Sequence, residues 1–402
     1  MAMRFAQLGL VVAVTLATAS LNSQGQSAAD VDNQRQIAIS LEQQGSNADA
    51  EAAWRAVLKL QPANSETYAH LGLLEARQEH YAEAIPLYRK AWALNPAMPG
   101  LRLNLGLSLF KSGALKEAID TFTPLLKSQP PSSAERLRLT TLIGLAYYGL
   151  GEYATAVPYL KEATSEDPRN LPFRLVLAHS CLWSKQYQCV LDVYHQILTL
   201  NAESAEADML AGEALDEMKD DDGALQQFRA AAKADPRMPE VHFGLGYLLW
   251  RLLQYEEAGR EFNAELVNNP DHAQAVVYLA DTEMRLNHAE AAPALLEKAI
   301  RLDPKIELAH LDLGILDGDQ GRKDDALREL KIAEQLSPGD QNVHWKLART
   351  YQAAGMKDEA RAEFDKTRGL HHAADETVFK KLHEAQAKGK PDDAAHGGPI
   401  VN

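Results

Sequence analysis

The chain has 402 residues, 46% hydrophobic and 24% charged, a composition that suits a well-packed soluble protein. Its formal charge of −15 comes with no basic stripe that could neutralise phosphates, so neither nucleic acid nor anionic lipid is an expected partner. Its two cysteines form no Cys-x-x-Cys, so there is no zinc or dithiol signature.

The first element is an address. Arg4 supplies a positive start, and Leu8 to Ala19 is an uncharged, mostly apolar run of 12 residues. A spanning helix needs about 20 apolar residues, so this run is too short to anchor by itself. Ala17-Thr18-Ala19 has the small-x-small pattern that precedes signal cleavage. Residues 1–19 are therefore expected to be a cleaved signal peptide, with an uncleaved anchor as the alternative, and residues 20–30 a linker. A bacterial chain so addressed would be exported to the periplasm, or secreted, and would have no membrane span once mature.

Prolines then set a period. Pro62, Pro96 and Pro130 stand 34 apart, and Pro168, Pro236, Pro270, Pro304 and Pro338 continue the series, with Ala202 in the vacant slot. Only the step from Pro130 to Pro168 differs, at 38. A fixed period of this length signals tandem repeats and overrides a domain count taken from length. With proline as the thirty-second residue, ten units begin at 31, 65, 99, 137, 171, 205, 239, 273, 307 and 341.

Each unit reads as two antiparallel helices. The eighth residue is small, as in Gly72, Gly106, Gly144, Gly212, Gly246 and Gly314, and the twentieth is Ala in nine units and Val190 in the other. Small side chains let the two helices approach, and the large twenty-fourth residue, such as Trp54, Tyr88, Phe122, Phe228 or Phe262, fills the gap beside them. Gly45, Gly113, Gly151, Gly321 and Gly355, at the fifteenth place, fit a left-handed end to the first helix. The residue before each proline is pushed out of the helical region, which stops the second helix.

Between the third and fourth units lies SQPPSSAERLR, four residues too long. Pro130-Pro131 breaks the chain there, and Ser132-x-x-Glu135 predicts a capping box that opens a first helix one turn longer than usual. The expected blocks are repeats 1–3 over residues 31–136, including the insertion, and repeats 4–10 over 137–374. Residues 375–390 read as a polar capping helix and 391–402 as a disordered tail.

This pattern resembles the tetratricopeptide repeat family, whose motif runs W-x2-L-G-x2-Y, then A-x3-F, then P. Leu71-Gly72, Leu105-Gly106, Leu245-Gly246 and Leu313-Gly314 carry its first element, and the likeness covers residues 31 to 374. The family's opening Trp, at the fourth place, is missing from every unit, Tyr68 being the nearest match. The resemblance implies an all-α protein, a right-handed α-solenoid superhelix of 34-residue helix-turn-helix repeats. One unit cannot bury its apolar face alone, so stacking would make the core.

Cys181 and Cys189, in the fifth unit, admit two readings. An oxidising compartment permits a disulfide across the helical turn. Alternatively, Cys181 is a small core residue and Cys189 opens a helix.

Residues 239–270 contain Gly-Leu-Gly beside three aromatics. Gly246 is the packing glycine of its unit, no third glycine follows at dinucleotide spacing, and no Gly-Lys-Ser/Thr occurs, so a phosphate loop is not expected. Phe243, Tyr247 and Trp250 share one helical face at i, i+4 and i+7. In the family, the fifth, ninth and twelfth residues point into a concave groove, and the resemblance puts these three there. Met209, Val277, Leu311, Ile315 and Trp345 continue the strip, with Arg251 and Arg285 beside it. Earlier units add Leu103, Leu107, Phe110, Leu145, Tyr148, Leu175 and Leu182. Such a strip marks a groove for a peptide or protein partner, unless winding of the superhelix buries it between adjacent first helices.

The family's chaperone-tail clamp needs Lys at the fifth place and Asn at the ninth, and no unit has that pair. Its sugar-transferase asparagine ladder is reduced to Asn104. Catalytic motifs are equally absent, with no His-Glu-x-x-His and no Gly-x-Ser-x-Gly. Asp220-Asp221-Asp222 and Asp324-Asp325 fall at starts of second helices, where acids favour the helix dipole. Neither a cofactor nor a bound metal is expected. The leading reading is a non-catalytic, exported scaffold that holds a protein or peptide through its concave groove. The second is an accessory subunit of an envelope machine, for polysaccharide export or outer-membrane assembly. The third, an enzyme, has no residues to carry it.

Overall fold

The computed structural model describes residues 29–130, 133–200, 204–288 and 290–388. The expected signal peptide, the tail and Ser132 lie outside them. The described residues form helices joined by turns, with no strand among them. They fall into two compact units, Met1–Ala202 and Glu203–Asn402. The division comes at Ala202, where the proline period has its vacancy, and not at the insertion after Pro130.

The first unit holds α1 (29–43), α2 (Asn47–Leu60), α3 (Ser65–Arg77), α4 (Tyr81–Leu94) and α5 (Leu101–Lys111). It continues with α6 (Leu115–Lys127), α7 (Ala134–Gly149), α8 (Tyr153–Glu166), α9 (Leu171–Trp183) and α10 (Tyr187–Leu198). The second unit holds α11 (Ala205–Glu217), α12 (Asp221–Ala234), α13 (Val241–Arg251), α14 (Tyr255–Asn268) and α15 (Ala273–Arg285). It ends with α16 (Ala292–Leu302), α17 (Glu307–Asp319), α18 (Lys323–Leu336), α19 (Gln341–Ala353) and α20 (Lys357–Lys388). Within each unit every first helix packs on its own second helix, and every second helix on the next first helix. Tandem hairpins are thus stacked in chain order.

The insertion leaves this order intact. Helix α7 is 16 residues long against 11 for α5 and 13 for α9, and it still packs on α6. Its cap is Ser133, whose hydroxyl accepts from the Arg136 N–H at 3.1 Å, and not the expected Ser132. The expected separate capping helix is corrected as well. Helix α20 runs for 32 residues from Lys357 to Lys388, with His372 where eight of the other nine units carry the proline that cannot continue a helix.

The contact between small and large residues is literal. A Cβ added at Gly246 would stand 2.9 Å from the Phe262 ring, and one at Gly314 would stand 2.7 Å from Leu330. The twenty-fourth residues Trp54, Tyr88, Phe122 and Phe262 are among the largest fully buried side chains. Cys181 and Cys189 join α9 to α10 in a disulfide, with their Cα atoms 5.8 Å apart.

The fourth place, where the family's Trp is missing, has its own chemistry. His242, His310 and His344 each bring Nδ1 within 2.6–2.8 Å of a carboxylate at the twenty-third place, Glu261, Glu329 or Glu363. Each brings Nε2 within 2.9–3.1 Å of the preceding repeat's proline carbonyl, Pro236, Pro304 or Pro338. Arg174 and Tyr68 reach the same carbonyl from the same place, at 3.0 and 3.3 Å. A polar side chain here ties its own second helix to the repeat before it.

Candidate functional site

Helix α13 buries Leu245, Leu248 and Leu249, and this turns Phe243, Tyr247 and Trp250 to the opposite face. The three rings form a ladder, with centroids 6.3 Å and 6.1 Å apart. Tyr278 of α15 stands edge-on to it, 5.2 Å from Tyr247 and 5.0 Å from Trp250. The Trp250 indole N–H donates to Asp281 Oδ2 at 2.5 Å. The ladder is therefore half-buried and knitted to the next repeat.

Placement sorts the remaining expected residues. Val277, 1% exposed, and Leu311, 7% exposed, are corrections: they sit in the core between adjacent helices and offer a partner no surface. Met209 and Ile315 are half-buried. Arg251 is tied to Asp216 and Asp221, and Arg285 to Asp281 while lying over the Trp250 ring, so neither guanidinium is free. In the first unit Leu103, Leu107, Phe110, Leu145, Tyr148 and Leu175 are half-buried, and Leu182 is buried.

Trp345, at the fifth place of α19, is 42% exposed. Lys346 Nζ lies 5.2 Å and the Arg349 Cζ 5.4 Å from its ring centre. Neither cation has an ion pair among the described residues. Together with Gly314, Ile315 and Gly318 of α17 they line a pocket of about 230 Å³. Reasoning from the fifth, ninth and twelfth places missed Tyr278, Lys346, Asp281 and Arg349. Tyr278 and Lys346 stand at the sixth place, and weighing polar residues at the ninth would have found the other two.

Acids near the strip are unusual. Burial pushes the Glu213 carboxyl, at the ninth place of α11, up to about 7. Burial, and then the Asp281 charge, hold the Asp312 carboxyl well above the usual range, and its Oδ2 has no hydrogen-bond partner. A carboxylate destabilised this way penalises the fold above its folded pKa, and the penalty fades as pH falls toward the unfolded value near 3.9. Asp312→Asn is accordingly expected to raise stability at pH 8 by about 1–2 kcal/mol and to be neutral near pH 4. Thermal midpoints of both proteins at the two pH values check this.

Two sets of ligand atoms lie within 4.8 Å of one another: Glu240, Glu265 and His272, and Glu334, His344 and Glu363. In the second set Lys366 Nζ sits 2.8 Å from both carboxylates, so a cation already occupies the space between them.

Two family models described as tetratricopeptide repeat match residues 75–143 and 138–170, and a third of the same description matches 35–99, 191–239, 243–305 and 311–373. The BBSome complex member BBS4 of Bos taurus is 25% identical over 306 residues, which is 76% of this chain and 58% of that protein. DnaJ homolog subfamily C member 3 of Homo sapiens is 22% identical over 390 residues, 89% of this chain and 69% of its own length. Among solved structures, YrrB, described as a TPR protein with an unusual peptide-binding site, is 18% identical with a TM-score of 0.38. It covers 47% of this chain and 97% of its own.

Proposed function

Because the chain belongs to the tetratricopeptide repeat family, we propose that it is a non-catalytic scaffold whose second unit binds an acidic peptide segment of a partner protein along its first-helix face. The observation that carries this reading is Trp345, an exposed indole flanked by Lys346 and Arg349, neither paired to a described carboxylate, over a pocket floored by Ile315. An indole beside two available cations suits an apolar side chain next to a carboxylate. In a chain of charge −15 this patch is a local exception, and it steers acidic segments to one place. The apolar run before Ala19 supports export, so the partner would be met in the periplasm.

Purified protein is to be panned against a random displayed-peptide library. Enrichment of peptides pairing Asp or Glu with a large apolar residue is expected. Trp345→Ala combined with Arg349→Glu should weaken the best peptide at least tenfold, about 1.4 kcal/mol, with the thermal midpoint unchanged. Undiminished binding by this double variant would sink the reading.

A further inference from the structure

In four of the ten units the fourth and twenty-third places form matched pairs. Three units pair His with Glu, at His242–Glu261, His310–Glu329 and His344–Glu363, and one is apolar, Val276 with Leu295. The third unit has no such pair. Its fourth residue is Arg102 and its twenty-third is Thr121, whose hydroxyl is spent on the Glu117 carbonyl at 2.7 Å. As in the fifth unit, where Arg174 faces Val193, a cation stands here with no carboxylate opposite, but Arg174 donates to the Pro168 carbonyl and to Gln196 whereas the Arg102 Nε has no partner among the described residues.

The space the carboxylate would occupy is open. A cavity of about 560 Å³ lies between α4, α5 and α6, with Arg102, Trp92, Leu105, Leu109 and Thr121 on its wall. That is the size of a small-molecule site, and its lining is mostly apolar with a few polar groups. The Arg102 guanidinium lies 5.0 Å from the Trp92 ring centre, and its Nε is buried with no hydrogen-bond partner among the described residues. Leaving a buried guanidinium nitrogen unsatisfied is costly unless something supplies an acceptor. The other cation on the wall, Arg89, is committed to Glu117 at 2.5 Å.

We propose that this cavity is a binding site for an organic monocarboxylate with an apolar body. The carboxylate pairs with Arg102, and the body lies against Trp92, Leu105 and Leu109. Asp120 and Glu117 on the same wall disfavour a dianion such as phosphate, so one negative charge fits better than two. The site belongs to the first unit and is independent of the Trp345 face.

The probe is 4-phenylbutyrate, titrated calorimetrically into the full chain beside its neutral amide and beside the peptide acetyl-Gly-Phe with a free C-terminus. Saturable binding of a carboxylate at least tenfold tighter than the amide is expected, and the stronger of the two acids tells a free metabolite from a peptide terminus. Thr121→Glu gives Arg102 a carboxylate where Glu261, Glu329 and Glu363 stand in their own units, so it should abolish binding and raise the thermal midpoint. Arg102→Met keeps the stem over Trp92 and should cost at least tenfold in carboxylate affinity while leaving the amide unchanged. The site is overturned if the amide binds as well as the acid, if no acid binds, or if both variants bind like the parent chain.

Discussion

Phe262→Ala should remove about 3–5 kcal/mol of stability, the usual cost of deleting a fully buried ring. Phe262 is 0% exposed and fills the gap that Gly246 leaves on α13, where even a methyl group would stand 2.9 Å from its ring. It also meets Phe243 at 6.1 Å and Tyr278 at 5.8 Å, so one side chain holds α13, α14 and α15 together. Alanine would leave a cavity that three helices must close around, and the aromatic ladder would lose its backing. In a stack where each repeat leans on its neighbours, the loss spreads to both sides. Urea midpoints give the total, and hydrogen exchange should show α13 to α15 losing protection first. Phe262→Leu, which keeps most of the volume, should recover more than half of the loss. A cost below 1 kcal/mol for the alanine variant would mean that the small-large contact does not hold the stack.

Glu363→Ala should cost about 3–5 kcal/mol at pH 6, because it strands one partner of a buried ion pair. Burial alone would push the His344 imidazole down. The Pro338 carbonyl on one ring nitrogen and the Glu363 carboxylate on the other together hold it above its ordinary value. The charged groups around it are Glu334 on α18, 3.9 Å away, and on α20 Glu363 and Lys366, the latter opposing its charge. Because the fold raises this pKa, the stabilisation is complete below the unfolded value near 6.5 and is lost as pH rises through the folded value. The parent chain should therefore lose stability from pH 6 to pH 8.5, and the variant should lose less over that interval. Thermal midpoints across the series decide, and equal slopes in the two proteins would remove His344 from the account.

Much of the fold was legible because period and sterics act locally. Proline at eight of the ten thirty-second places, a small eighth residue and a large twenty-fourth are consequences of two helices meeting, and each leaves its mark on the residue type. The disulfide was readable only as one of two options, since spacing allows the bridge without requiring it. The site was less legible. Position numbers picked out Phe243, Tyr247 and Trp250, but whether a first-helix residue faces outward depends on how its neighbour packs. That is why Val277 and Leu311 are buried while Trp345 is open.

The fifteenth place shows where local reading stops. Gly45, Gly113, Gly151, Gly321 and Gly355 announce a left-handed turn, and all five adopt φ between 73° and 83°. Glu79, Lys185, Lys219, Leu253 and Asn287 hold the same place in the other units with φ of 60–66°, a conformation that of these five only asparagine adopts with any ease. By itself the sequence determined the repeat, its helices and the contact that pairs them, because those depend on neighbours along the chain. Only the tertiary structure decided which turns are forced, where the two units divide, and which cations, Lys346, Arg349 and Arg102, are left without a carboxylate. Those outcomes depend on which side chains from different repeats arrive at one place, and no single repeat encodes that.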